Sequence, residues 1–345
     1  MKKKIINTIL LIIVTILVLY FSLKDDYTTV MNTILNIDKK FLLLGFFLLF
    51  SYWFFKAITM WVVTKKYGKY RFRNALRMVV ETNFFHAITP FSTGGQPYEV
   101  YSLKKNNIKL SDATNVSVQS FIIYQIALVL LGAIAIISNH FLNLFPKNNL
   151  LEKLVTLGFI INFLVIVILF LLSFTKKISK SILSFIVKIL NKFKIFKNKE
   201  KTLEDLDKYI KEFNEGAKKI FENKPQFLGL IFLQFISLVS LYLIPFVLFM
   251  GVNIYINPLV VIATSAYVML IGSFVPIPGG TGGLEYGFVA FFSNFDSTKI
   301  VTAIMLLWRF ITYYFAMILG AITLSIGKEV KKWELVFLLI HILHI

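Results

Sequence analysis

Two carboxylates lie where an apolar chain seldom keeps them. Glu99 ends the segment Thr89-Pro-Phe-Ser-Thr-Gly-Gly-Gln-Pro-Tyr-Glu99. Glu285 ends Pro276-Ile-Pro-Gly-Gly-Thr-Gly-Gly-Leu-Glu285, and apolar runs precede both segments. Superposed on Pro90 and Pro276, the two share P-x3-G-x4-E, which matches Gly94 with Gly280 and Glu99 with Glu285. Proline lacks an N–H and glycine reaches backbone angles that other residues avoid, so Pro90, Pro97, Pro276 and Pro278 mark breaks in helical structure. New half-helices are expected to start at Pro97 and near Leu284, with unpaired N–H groups and partial positive charge at their first turns. Gly94, Gly95, Gly279, Gly280, Gly282 and Gly283 let a phosphate approach such backbone closely, and Thr281 adds a hydroxyl. Glu99 and Glu285 suit an amine instead. The chemistry expected is binding of a polar head-group that carries phosphate, amine or both. A glutamate in a first turn also stabilises its helix by about 0.3–1 kcal/mol with no further role.

Arg309 stands inside the last long apolar run and needs a partner. Glu285 is the expected one, either as a structural ion pair or with the arginine free for phosphate. Lys56 lies near the end of its run, where it is expected to extend its ammonium to the interface. Glu81 and His86, five apart, do not share a helical face. Ser92-Thr-Gly-Gly95 resembles no nucleophile elbow. The sequence has no cysteine, and its four histidines show no ligand spacing with carboxylates. No metal, no cofactor and no catalytic residue is assigned.

The elements that must hold these residues follow from composition. At 345 residues, 57% hydrophobic and a mean hydropathy of +0.75, the chain reads as an all-α polytopic membrane protein. The formal charge of +19 falls between the apolar runs, where it sets orientation and attracts anionic lipid; a nucleic-acid partner is not expected. Six full spans are expected: Ile5–Leu23, Phe41–Val63, Ser111–Ile137 (capped by Ser111 or Asp112), Leu154–Phe174, Gln226–Met250 with a kink at Pro245, and Ile300–Ile326. Lys24–Lys40 reads as an outside loop. Lys65, Lys66, Lys69, Arg71, Arg73 and Arg77 form the strongest positive-inside signal, and both termini are placed in the cytoplasm.

Between spans two and three, and again between five and six, each broken segment reads as a re-entrant hairpin. Residues 41–137 and 226–326 then form two units in an inverted repeat, the plan that places a binding site between broken helices. Residues 175–225 read as a basic cytoplasmic helical hairpin. Its first arm suits an anionic membrane surface, and its second places Leu203, Leu206, Ile210, Phe213, Ala217 and Ile220 on one stripe. Trp333–Ile345 reads as an interfacial tail. All of 1–345 is one integral membrane domain.

The two motifs, and Pro278-Gly-Gly-Thr-Gly-Gly-Leu-Glu285 above all, resemble those of the lysylphosphatidylglycerol synthase/flippase family. The likeness is to the flippase half of the bacterial multiple peptide resistance factor and runs from about Ile5 to Ile326. It implies a bacterial or archaeal cell membrane, a link to antibiotic resistance, and movement of aminoacylated phospholipid between leaflets. Related glycosylated or polyprenyl-linked lipids are also implied. The family's soluble lysyltransferase domain is not expected in this chain. Three roles therefore stand open: a lipid translocator, an intramembrane head-group transferase, and a membrane partner of a separate synthase.

Overall fold

The computed structural model describes residues 27–145, 148–181, 210–218 and 221–326; the expected first span, most of the basic hairpin and the C-terminal tail lie outside them. Among the described residues all regular structure is helical. In chain order these are α1 (Tyr27–Asn36), α2 (Lys39–Thr64), α3 (Phe72–Ile88), α4 (Gly95–Lys105), α5 (Leu110–Leu142) and α6 (Asn149–Phe174). After the basic region come α7 (Lys224–Tyr242), α8 (Ile244–Met250), α9 (Pro258–Gly272), α10 (Gly283–Phe292), α11 (Thr298–Arg309) and α12 (Ala316–Ile326).

Among the described residues, five helical stretches are long and apolar enough to cross a membrane: Lys39–Thr64, Leu110–Leu142, Asn149–Phe174, Lys224–Met250 and Thr298–Ile326. At about 1.5 Å per residue, even a 26-residue helix exceeds a hydrocarbon core of about 30 Å. They match the expected spans two to six, each a few residues longer. Helix α6 shows why the bundle tolerates lipid. It leaves Leu157, Ile160, Phe163, Leu164, Val167, Ile168 and Leu171 exposed at helical spacing. On its inner side Gly158 comes so close to α9 that a Cβ there would overlap the Leu270 carbonyl, and Asn162 Nδ2 donates to Ser273 Oγ at 2.7 Å. Close backbone approach and an interhelical hydrogen bond replace the hydrophobic drive that lipid removes.

Several expectations are corrected. The region read as an outside loop contains α1, which packs on α11. The cap of α5 is Lys109, without a side-chain bond; Ser111 lies inside the helix with its Oγ buried and unpartnered. The kink expected at Pro245 is present: Pro245 cannot donate to the turn before it, and the span is interrupted at Leu243 between α7 and α8. In the last span a π-helical turn, Phe310–Phe315, follows Arg309. Of the second arm of the basic hairpin, the described stretch 210–218 is helical and buries Ile210, Phe213 and Ala217. It docks on the bundle: Asn115 Nδ2 donates to the Phe213 carbonyl at 2.8 Å, Asn214 Nδ2 to the Ser173 carbonyl at 2.8 Å, and the Tyr67 hydroxyl to the Gly216 carbonyl at 3.0 Å.

The two broken segments each form a helix–turn–helix hairpin, α3–α4 and α9–α10. The longest of these arms, α3, has 17 residues, about 25 Å, and so is shorter than the hydrocarbon core. Their turns touch each other.

Candidate functional site

Each hairpin turns through one short 3-10 segment, Pro90–Ser92 in the first and Pro278–Gly280 in the second. The backbone agrees at the two residues after each proline and then departs: Thr93 and Gly94 are helical, whereas Thr281 is extended and Gly282 has φ of 89°. Phe91 and Ser92 both have φ of 53°, and Gly279 and Gly280 both have φ of 65°. Thr93 Oγ1 donates to the Pro90 carbonyl at 3.0 Å, as Thr281 Oγ1 does to the Pro278 carbonyl at 2.9 Å. The following helices begin at Gly95 and Gly283. Pro90 therefore corresponds to Pro278, and the expected pairing of Pro90 with Pro276 is two residues out. Pro276 belongs to the extended approach to the turn, and Pro97 is the third residue of α4, past the break. In the corrected register Glu99 stands opposite Gly287, and Glu285 opposite Pro97. The two glutamates are not equivalents.

Their surroundings differ accordingly. Glu285 is 6% exposed and Arg309 4%, and Arg309 Nε lies 2.7 Å from Glu285 Oε1. The contact is an ion pair by distance; the Nε–H is not aimed along it and makes no hydrogen bond. The other carboxylate oxygen accepts from the Gly282 N–H at 2.7 Å. Arg309 also donates to the Gly279 carbonyl at 3.3 Å and to Thr281 Oγ1 at 3.2 Å, with its guanidinium 4.3 Å over the Tyr313 ring. The Tyr313 hydroxyl reaches across to the Ala87 carbonyl of the first hairpin at 3.1 Å. Arg309 and Tyr313 thus clamp the second turn and tie it to the first. The Glu285–Arg309 pairing expected from sequence is present.

The first turn is held without charge. Thr89 Oγ1 donates to the Phe85 carbonyl at 2.7 Å and accepts from the Gly94 N–H at 2.8 Å. His86 Nδ1 bonds the Ser92 carbonyl, and Gly95 lets that imidazole lie flat against α4, since a Cβ there would overlap the ring. At two of the glycines expected to admit a phosphate, Gly94 and Gly282, the backbone N–H groups are thus already taken. Glu81 is also committed, to Arg77 at 2.8 Å and to the Tyr98 hydroxyl.

Glu99 has a different setting. It is 5% exposed and accepts from Ser117 Oγ at 2.6 Å; among the described residues no cationic nitrogen lies within ion-pair distance of it. It borders a cavity of about 320 Å³ between the hairpins. Lys56, His86, Gln96, Gln125, Gln234 and Arg309 border the same cavity, as do Phe91, Ser92, Gly279 and Gly280 of the two turns. Of the expected site residues, Glu99, Gly279, Gly280 and Arg309 reach this space. Glu285, Thr281, Gly94, Gly95, Gly282 and Gly283 do not border it and serve the turns. Lys56 is the residue that sequence reading misplaced. It borders the cavity, and its ammonium lies 5.9 Å from the Tyr52 ring centre. Eight residues separate it from the end of α2, more than two turns, and that spacing was the available signal. Gln125 Oε1 and Gln234 Nε2 are buried without partners. Such groups usually have a partner when a polar guest is present.

Fold and site define a class: an all-helical, polytopic membrane protein with a charged cavity between paired helix–turn–helix hairpins. Within that class, the chain belongs to the family described as the lysylphosphatidylglycerol synthase TM region, whose model matches residues 8–320. A UPF0104 membrane protein of Archaeoglobus fulgidus is 25% identical over 310 residues, which is 85% of this chain and 88% of that protein.

Proposed function

We propose that this protein moves the polar head-group of a membrane lipid between leaflets through the cavity between its two hairpins, while the acyl chains stay in the bilayer. The observation that carries the reading is the cavity itself: an ammonium, Lys56, and a carboxylate, Glu99, border one space beside two helix breaks, and they are not paired with each other. Unpaired charge at membrane depth is costly and is kept where a ligand or ion passes. Lys56 suits the phosphate of a head-group, with Arg309 nearby, and Glu99 suits an amine. The family's lysylphosphatidylglycerol carries both groups, and that supports an aminoacylated phospholipid as the cargo.

In this reading the hairpins are re-entrant and the units 41–137 and 226–326 run in opposite directions, with one hairpin open to each side. The short arms and the meeting of the two turns support that plan. The termini are cytoplasmic, and Lys65, Lys66, Lys69, Arg71 and Arg73 face anionic lipid there. Labelling of Lys69→Cys from the cytoplasmic side and of Asn253→Cys from the outside is the expected topology in a chain with no native cysteine. Outside labelling at position 69 would overturn it. The functional test is reconstitution in liposomes with head-group-labelled phosphatidylglycerol and its lysyl ester, read by leaflet-selective quenching. The wild-type protein should speed exchange and Lys56→Met should slow it at least about tenfold, the loss of one charged contact of about 1.4 kcal/mol. Exchange no faster than in protein-free liposomes for either lipid rejects the reading. Appearance of a new lipid species made by the purified protein would point to the transferase role instead.

A further inference from the structure

Three glutamates are buried among the described residues near the hairpins, and two of them are fully committed. Glu81 is bound by Arg77 and Tyr98, and Glu285 by Arg309 and the Gly282 N–H. Glu99 has one neutral donor, Ser117, and borders the cavity. The titratable and charged groups around it come from every packed element: Tyr52 and Lys56 on α2, Tyr70 before α3, His86 on α3, Tyr124 on α5, and Arg309 across the cavity. Arg309 is held by Glu285, and His86 by the Ser92 carbonyl. Lys56 is the cation that shares the space with Glu99 without being bound to another carboxylate.

A desolvated carboxylate without a close cation tends to be neutralised, by a proton or by an arriving cation. An arriving ammonium can take the place of such a proton, and a phosphate without an amine cannot. We propose that Glu99 is a proton-exchange site, holding either a proton or the ammonium group of the head-group, so that entry of an amine-bearing lipid expels one proton from the cavity. The O–H bond of the Glu99 carboxyl breaks, the proton leaves to water, and the carboxylate pairs with the ammonium. Return of the empty cavity takes a proton back, which makes lipid movement and proton movement opposite and coupled. The proposal rests on the head-group reading of the cavity and adds an energy source to it.

The test is titration calorimetry of the full chain in two buffers of different ionisation enthalpy, which reports affinity and protons released together. The probes are dihexanoyl phosphatidylethanolamine, which has an amine, and dihexanoyl phosphatidylglycerol, which has none. The wild-type protein should release about one proton per phosphatidylethanolamine bound and none per phosphatidylglycerol, and its affinity for the amine lipid should fall about tenfold per pH unit on the acid side. Glu99→Gln should release no proton with either lipid and bind the amine lipid with an affinity that no longer changes with pH on the acid side, and Glu99→Asp should restore both. An unfolding midpoint in denaturant equal to that of the wild type shows that the variant is folded. Amine-lipid binding without proton release by the wild type, or release that persists in Glu99→Gln, overturns the proton-exchange site and leaves the head-group reading standing. Failure of the wild-type protein to bind either lipid overturns both.

Discussion

The two hairpins open their turns alike and complete them by different chemistry. In each, a proline opens a 3-10 segment, two residues take left-handed angles, a threonine hydroxyl returns to the proline carbonyl, and a helix starts at the second of two glycines. The first hairpin places Phe91 and Ser92 at the left-handed positions and satisfies the Gly94 N–H with Thr89. The second places glycines there and satisfies the matching Gly282 N–H with Glu285, itself neutralised by Arg309. The side chains facing the cavity are distributed in the opposite sense. Lys56, His86, Gln96 and Glu99 lie on α2, α3 and α4, and at the register of the turns the matching positions are Ile244, Phe274, Leu284 and Gly287. The lesson is a division of labour: the second hairpin spends its charge on its own turn, and the first keeps its turn neutral and leaves charge for the cavity.

The largest effect should come from breaking the charged turn. Glu285→Gln leaves the Arg309 guanidinium uncompensated in a buried place, and the expected cost is about 3–5 kcal/mol. Arg309→Met alone should cost a similar amount. The double variant removes both charges and should recover most of the loss, a non-additivity that a cycle measures directly. Unfolding by denaturant in detergent micelles, followed by tryptophan fluorescence, gives the numbers. Two single losses that simply add would mean that the pair does not hold the turn. Next in size is Gly279→Ala. Its φ of 65° costs an L-residue about 1–2 kcal/mol, and the new Cβ meets the Tyr313 ring, so about 2–3 kcal/mol is expected by the same assay.

Smaller again is the neutral cap. Thr89→Val keeps the shape and removes one hydroxyl that serves both arms of the first hairpin, at about 1 kcal/mol. If Thr89→Val costs as much as Glu285→Gln, the contrast between a neutral and a charged turn fails.

Much of this was legible in the sequence because hydropathy and proline speak locally. The spans from Phe41 onward, the breaks at Pro90 and Pro278 and the Glu285–Arg309 pair all rest on residues close in sequence or on runs of one character. The register of the two turns was not legible. Pro276 and Pro278 are both candidates, and aligning on Pro276 brings Glu99 onto Glu285, a coincidence of charge that hydrogen bonding to Pro90 and Pro278 removes. Thr89 as a cap was hidden because the acceptor of its proton and the donor to its oxygen sit on different arms. Lys56 was hidden because a lysine near a span's end fits both an interface and a cavity, and only the packing of α2 against the hairpins decides.

The smallest change in stability belongs to Glu99, and it separates the two glutamates most sharply. Glu99→Gln removes a buried charge that has no close cation, while keeping the side-chain volume and an acceptor for Ser117. Loss of the uncompensated charge offsets the weaker hydrogen bond, so unfolding should shift by less than about 1 kcal/mol in either direction. The same variant should lose translocation of amine-bearing lipid in the liposome assay, with exchange of phosphatidylglycerol retained. A carboxylate that matters to movement and not to folding belongs to the cavity. If instead Glu99→Gln unfolds as readily as Glu285→Gln, its carboxylate holds α4 against α5 through Ser117, and the first hairpin is braced by charge just as the second is. That outcome would erase the division between the two and return both glutamates to structure.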